Sequence, residues 1–229
     1  MENQMSLLKF LVYPLSLGFS VSSFAAQPYL GLQVGSNFFT QKQTITAFDV
    51  TGEINRWQSN DGFEGGLLLG VRWVTKPTYL LDAELFASYN ADDISVKNTL
   101  TGPPFVDHLD QNLGYSFGAR ILPAYVIRPN LSLFGLLGYI QTQLKSNSLD
   151  GVTEGLSGNQ SVIFNGVQCG FGINIDFNSG FRLRMQDSYA FYGSRNITTP
   201  SIGLDNQLIS FNIRPYANQV SLSLIKQFS

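Results

Sequence analysis

The chain has 229 residues, a formal net charge of -2 and 44% hydrophobic residues. Only 13% of residues are charged, about half the ordinary globular share, so the sequence is poor in charge without being greasy. No basic excess points to nucleic acid, and the lone Cys169 excludes an internal disulfide.

At the N-terminus, Lys9 precedes the apolar run "FLVYPLSLGFSVSSFA", and Ser23 and Ala25 stand where a signal peptidase reads small residues. This predicts a cleaved secretory signal over residues 1–25, with a single domain over 26–229. Glu2 offsets Lys9, and initiation at Met5 would remove that conflict. The alternative is a membrane anchor, but the run contains Pro14 and several serines and falls short of the about 20 apolar residues a helix needs to span. After Ala26 no apolar run approaches that length, so the exported chain is either soluble or a barrel.

The rest of the chain alternates with period two, which in a strand sends successive side chains to opposite faces. In "YLGLQVGSNF", Leu30, Leu32, Val34 and Phe38 oppose Gly31, Gln33, Gly35 and Asn37. In "GFEGGLLLGVRW", Phe63, Leu67, Leu69, Val71 and Trp73 oppose Glu64, Gly66, Leu68, Gly70 and Arg72. In "LLDAELFASY", Leu81, Ala83, Leu85, Ala87 and Tyr89 oppose Asp82, Glu84, Phe86 and Ser88. "LGYSFGARI" sets Leu113, Tyr115, Phe117, Ala119 and Ile121 against Gly114, Ser116, Gly118 and Arg120. Residues 131–141 have strand composition, with faces that the sequence does not separate. Val167, Cys169, Phe171, Ile173, Ile175 and Phe177 oppose Gln168, Gly170, Gly172, Asn174 and Asp176. In "FRLRMQDSYAF", Phe181, Leu183, Met185, Tyr189 and Phe191 oppose Arg182, Arg184, Gln186 and Ser188. The last strand, "QVSLSLIKQF", sets Val220, Leu222, Leu224 and Phe228 against Gln219, Ser221, Ser223 and Gln227.

That predicts eight strands of about 9–11 residues or more, the length that crosses hydrocarbon when tilted. Connections alternate in length. Thr75–Thr78, Arg128–Asn130 and Asn178–Gly180 are short, while long polar segments cover about 40–61, 90–110, 142–160 and 193–208. Short turns at one end and long loops at the other predict an all-β, antiparallel, up-and-down transmembrane barrel with both termini in the periplasm. Closure follows because an open edge in lipid would strand backbone N–H and C=O groups. A soluble lipocalin-like barrel would put the apolar face inside, but a bore of eight strands has no room for so many Phe, Leu and Tyr side chains. Aromatic residues at strand ends, such as Phe38, Trp73, Tyr79, Tyr89 and Phe228, fit interfacial girdles.

Parity turns Glu64, Asp82, Glu84 and Asp176 inward with Arg72, Arg120, Arg182 and Arg184. Four acids and four arginines in a narrow bore predict paired side chains that plug the lumen, with an ion- or proton-conducting path as the alternative. Asp187 falls on the lipid face, where a charge is costly; a bulge turning it inward and a place at the outer interface are the two options.

These strands, notably "YLGLQVGSNFF", "GARILPAYVI", "FGLLGYIQ", "GFGINIDF" and "VSLSLIKQF", resemble the OmpA/OmpX-like, opacity-type family of eight-stranded outer-membrane proteins. The resemblance covers about residues 29–228 and implies the outer membrane of a Gram-negative bacterium, with lipid and lipopolysaccharide around the wall. It also implies a last-strand insertion signal ending in an aromatic residue, read by the barrel-assembly machinery. Val220, Leu222, Leu224 and Phe228 match that signal, while Ser229 after the aromatic and Lys226 in place of a second aromatic depart from it. Some relatives carry a periplasmic peptidoglycan-binding domain, and no such activity is expected here.

Some small barrels of this kind modify lipid A with a His, a Ser and an acid near the outer rim. His108 is the single histidine, with Asp107 and Asp110 close in sequence but no adjacent Ser, so it reads as a solvated loop residue. One His and one Cys do not make a zinc site, and "ADD" at Ala91–Asp93 is too sparse for a calcium loop. No cofactor is expected. The sequence therefore predicts a non-enzymatic role in envelope integrity, adhesion or antigen display, with any host or cell-surface ligand held by the loops. A narrow porin-like channel is the alternative, and a lipid A-modifying enzyme a weaker third.

Overall fold

The computed structural model describes residues 26–46, 56–97, 108–149, 158–200 and 208–228. The expected signal segment and Asp107 lie outside these. Among the described residues there is no helix. The strands are β1 (Ala26–Thr46), β2 (Arg56–Lys76), β3 (Tyr79–Lys97), β4 (His108–Arg128), β5 (Leu131–Leu149), β6 (Gly158–Asp176), β7 (Phe181–Tyr192), β8 (Arg195–Pro200) and β9 (Leu208–Gln227).

Each strand from β1 to β7 pairs antiparallel with the next, β7 pairs with β9, and β9 pairs with β1, so the sheet closes. The short β8 pairs only with the far part of β9 and continues the line of β7. Phe191 faces Tyr216 and Arg195 faces Ile213, four steps on one strand against three on the other, so a bulge separates β7 from β8. The wall therefore has eight strands.

The register fixes the geometry. From Tyr29, in-register partners run through Gly70, Glu84, Arg120, Gly138, Gln168, Ala190 and Ala217 and return to β1 at Phe39. The circuit gains ten residues, a shear that tilts the strands about 40° from the axis. Aromatic residues mark two rings on the outer face. Trp73 and Phe63 on β2, Tyr79 and Tyr89 on β3, Tyr125 and Tyr115 on β4, and Phe181 and Phe191 on β7 are each ten residues apart. Ten tilted residues rise about 25 Å, the height of the apolar band of an outer-membrane barrel. Between the rings the outer face is apolar and exposed, with Leu67, Leu69, Leu85, Leu137 and Phe171 all more than half accessible.

The alternation expected from sequence is present in the burial of β1 to β4, β6, β7 and β9 wherever side chains are described, with one correction. Leu113 is buried inside rather than turned to lipid. The β3–β4 register shifts between Tyr89 and Asp92, and the β4–β5 register between Leu113 and Ser116. The extra residue reverses the side-chain phase beyond it. On β5, Phe134, Leu136, Ile140 and Leu144 face in while Leu133, Leu137 and Tyr139 face out. Both faces are apolar, which is why the sequence does not separate them. The described ends of the expected long loops are strand. β1 runs on to Thr46, β2 begins at Arg56, and β3 to β6 extend in the same way. Beyond the upper ring the outer face no longer meets hydrocarbon, so Thr, Gln, Asn and Ser keep the pairing without an apolar outer stripe to read.

Inside, four rings lie over glycines on the neighbouring strand: Tyr29 over Gly70, Phe86 over Gly118, Phe134 over Gly172 and Tyr192 over Gly166. A Cβ at Gly118 or Gly172 would run into the facing ring and a backbone oxygen. Gly118→Val is therefore expected to lower unfolding stability in urea by about 1–3 kcal/mol. Gly135→Ala, where an added Cβ meets nothing within 4 Å, is expected to change it by less than about 0.5 kcal/mol. Unboiled gel mobility of the two variants along a urea series measures both.

Candidate functional site

The lumen is the chemically richest region, and it is layered. Nearest the short turns, Arg72, Asp82, Glu84, Asp176, Arg120, Arg182 and Arg184 gather in one cluster. Three contacts join in-register neighbours. Arg72 donates from Nε and Nη2 to the two Asp82 oxygens at 2.7 and 2.9 Å. Arg182 Nε donates to Asp176 Oδ1 at 2.6 Å. Arg120 Nε donates to Glu84 Oε1 at 2.5 Å.

Arg184 does something parity alone does not reveal. It stands on β7, diametrically opposite β3 in the ring of eight. Its guanidinium crosses the bore, with Nη1 at 2.5 Å from Glu84 Oε2 and Nη2 at 3.3 Å from Asp82 Oδ2, while Nε donates to Asn174 Oδ1 at 3.0 Å. Tyr29 adds its hydroxyl to Glu84 Oε2 at 3.0 Å. The cations also lie against the rings that cover glycines: Arg120 is 4.8 Å from the Phe86 centroid and Arg184 is 5.2 Å from that of Phe134. Glycine, ring and guanidinium stack in that order, which leaves the charges their hydrogen bonds and excludes water from their flat faces.

The expectation of four matched pairs needs correction. Three carboxylates are shared among four arginines, and Glu64 lies higher, on another level of the bore. Its described partners are amides, Gln33 Nε2 at 3.4 Å and a short contact from Gln219. Gln33 also accepts from Arg120 Nη2 at 3.2 Å, so one amide links Glu64 to the cluster. Gln33, Gln219, Asn174 and Tyr29 carry no formal charge, so a count of ionisable residues passes over them, although the alternation assigns all four inward.

Above Glu64 a chain of hydrogen bonds crosses the lumen. Asn37 donates to Asn90 at 3.2 Å, Asn90 to Ser116 at 3.0 Å, and Thr142 bonds both Ser116 and Tyr192 at 2.8 Å. Farther still from the short turns, Phe39, Leu113, Leu144, Phe164 and Ile213 are each at most 3% accessible. They form a buried apolar layer at that level of the bore.

On the outer wall, Asp187 keeps its lipid-facing position. The β6–β7 and β7–β9 registers run through it without a shift, so neither an inward turn nor an interfacial place applies. It lies within the apolar band, half-buried, and Asn218 Nδ2 donates to its Oδ1 at 3.2 Å. Val220, Leu222, Leu224 and Phe228 project outward from β9 and the residue that follows it. Lys226, the departure from the aromatic pattern, bends to the turn, donates to the Ser179 carbonyl at 2.9 Å and sits 4.4 Å from the Phe181 centroid. Cys169 faces outward, half-buried. His108 opens β4, and its side chain lies outside the described residues.

The site predicts a graded response. Arg184→Met removes one cation from Glu84, which keeps Arg120, and from Asp82, which keeps Arg72 and Arg182, and is expected to cost about 1.5–3 kcal/mol of unfolding stability. Asp176→Asn, at a side chain 30% accessible to water, is expected to cost about 1 kcal/mol or less. Urea titration of refolded protein in lipid vesicles measures the difference.

Comparison with known proteins agrees with the architecture. A family model described as outer membrane protein beta-barrel domain matches residues 11–214. No curated protein matches in sequence. Among solved structures, the outer membrane protein OprG from Pseudomonas aeruginosa is similar at 14% identity and a TM-score of 0.52, covering 86% of this chain and 95% of its own. A major outer membrane protein from Thermus thermophilus is similar at 11% identity and 0.51, covering 88% and 99%. Ail, the attachment invasion locus protein of Yersinia pestis, follows at 13% and 0.40, covering 84% and 99%. At these identities the solved structures speak for the fold alone. The family match, the closed eight-stranded wall and the apolar band together make this chain a member of the outer-membrane protein β-barrel family.

Proposed function

We propose that this protein is a closed, non-conducting barrel of the bacterial outer membrane, with a structural or surface-interaction role. The carrying observation is the crossing of Arg184 from β7 to Glu84 and Asp82 on β3, beneath a buried apolar layer at the other end of the bore. A guanidinium held by two carboxylates spans the middle of any ion path, and the apolar layer offers a permeating ion nothing to replace its water. In this reading the termini and short turns face the periplasm, and the extended ends of β1 to β6 and β9 stand outside the cell. Val220, Leu222, Leu224 and Phe228 serve as the signal read by the barrel-assembly machinery. Lipopolysaccharide surrounds the outer half of the wall, and the outer strand ends contact host or neighbouring cells. The plug holds β3 to β7 across the axis, so the wall can carry long strands into water without opening.

Planar-bilayer recording of the purified protein is expected to show no resolved conductance steps. Steps abolished by Arg120→Met or Glu84→Gln would establish a narrow pore instead. Removal of the outer ends of β1 and β2, residues 41–60, is expected to abolish binding to cells while leaving unboiled gel mobility folded. Unchanged cell binding would confine the protein to envelope integrity, and a lipid A change lost on His108→Ala would make it an enzyme.

A further inference from the structure

One surface feature is left over once the lumen is explained. Near the short turns, the outer wall of β3, β4 and β5 carries a groove of about 580 Å³ lined by Lys76, Tyr79, Pro123, Tyr125, Leu133 and Gly135 among others. Two residues make it. Gly135 points outward into open space, with nothing within 4 Å of an added Cβ. Pro123 faces it and has no N–H to donate. The β4–β5 pairing stops at Ile121–Leu137 and resumes at Ala124–Phe134, so the wall is thinned on both sides of this seam. Leu133 and the edge-on pair Tyr79 and Tyr125, with centroids 5.4 Å apart, form its sides.

The short-turn side of the groove is basic, with Lys76 in its lining and Arg128 three residues beyond the lining Tyr125 on β4. Lys76 and Arg128 are exposed at the ends of β2 and β4. Their turns are tied together by the Val126 N–H, which donates to the Thr78 carbonyl at 2.9 Å. No acid occurs in residues 74–79 or 121–135. Two cations at the membrane surface above an apolar notch, flanked by tyrosines at headgroup depth, match a molecule with an anionic head and a hydrocarbon tail.

We propose that this groove holds one anionic glycerophospholipid of the periplasmic leaflet, with an acyl chain over Gly135 and the phosphate between Lys76 and Arg128. The leaflet assignment rests on the orientation proposed above, whereas the binding itself does not. A bound lipid would fill the thinned seam where Pro123 interrupts the ladder and give the β4–β5 wall the contact its missing side chain withholds.

The test is native mass spectrometry of the full chain released from micelles doped with equal amounts of phosphatidylglycerol and phosphatidylcholine of identical acyl chains. One phosphatidylglycerol is expected to survive activation that strips phosphatidylcholine. Lys76→Gln with Arg128→Gln is expected to reduce its retention roughly 10- to 30-fold. Gly135→Trp, which has room for its ring, is expected to reduce retention with the cations intact. Lys226→Gln, at a cation of the same barrel end but on β9, across the ring from β4 and held by Ser179 and Phe181, is expected to leave it unchanged. Unboiled gel mobility verifies that each variant is folded. Equal retention of the two lipids, retention untouched by the Gln pair or by Gly135→Trp, or an equal loss in Lys226→Gln would each overturn the site. Because the measurement is made on purified protein, an inverted orientation would leave its result intact and be detected separately, by protease access to the short turns in whole cells.

Discussion

The pairing of β1 with β9 is the constraint from which the remaining structure follows. In hydrocarbon an unpaired strand edge has no solvent to satisfy it, and each open N–H or C=O costs several kcal/mol. Closing eight strands with a ten-residue shear satisfies every edge but leaves a bore only one or two side chains wide. From that width comes the need for inward glycines, for rings laid flat against them, and for cations stacked on the rings. Polar side chains confined there have no bulk water to fall back on and must satisfy one another.

That necessity explains why arginine, rather than lysine, fills the bore. A planar guanidinium donates in several directions at once, and Arg184 uses three of its nitrogens on three different acceptors. A lysine ammonium on β7 lacks the planar fork that reaches Glu84, Asp82 and Asn174 at once. The cluster is strong because its members are shared: Asp82 touches Arg72, Arg182 and Arg184, so no single contact carries the cross-bore link. The cost of burying six charged groups beside the partly exposed Asp176 is offset by that sharing and by Tyr29, Gln33 and Asn174. The proposed function places any contact with partners on the two surfaces outside the lumen: the strand ends beyond the upper aromatic ring and the lipid-facing wall.

Most of the wall is legible in the sequence because a membrane demands one apolar face from every strand. Leu30, Leu69, Leu85 and Leu222 all face lipid as their alternation requires. Legibility ends where that demand relaxes. On β5 both faces are apolar, so Phe134 and Leu133 look alike in sequence and are told apart only by pairing with β6. Above the upper ring the outer face no longer meets lipid, and strand reads as loop. At Leu113 a bulge reverses the phase, and the sequence carries no local mark of it beyond Gly114. The identities of the lumen charges were equally readable, but their pairing was not. Arg184 and Glu84 are a hundred residues apart in sequence and meet only because β7 and β3 stand opposite one another in a ring of eight. Asp187 is a separate lesson, since a continuous register held it on the lipid face and a neighbour, Asn218, supplied its hydrogen bond.

The most direct examination of this account is solution NMR of the barrel in deuterated micelles, with arginine side chains labelled. Slowly exchanging, individually resolved Arg184 Nη protons, with through-space contacts to Glu84 and to the ring protons of Tyr29 or Phe134, are the predicted result. A single averaged guanidinium signal in fast exchange with water, without contacts across the bore, would contradict it.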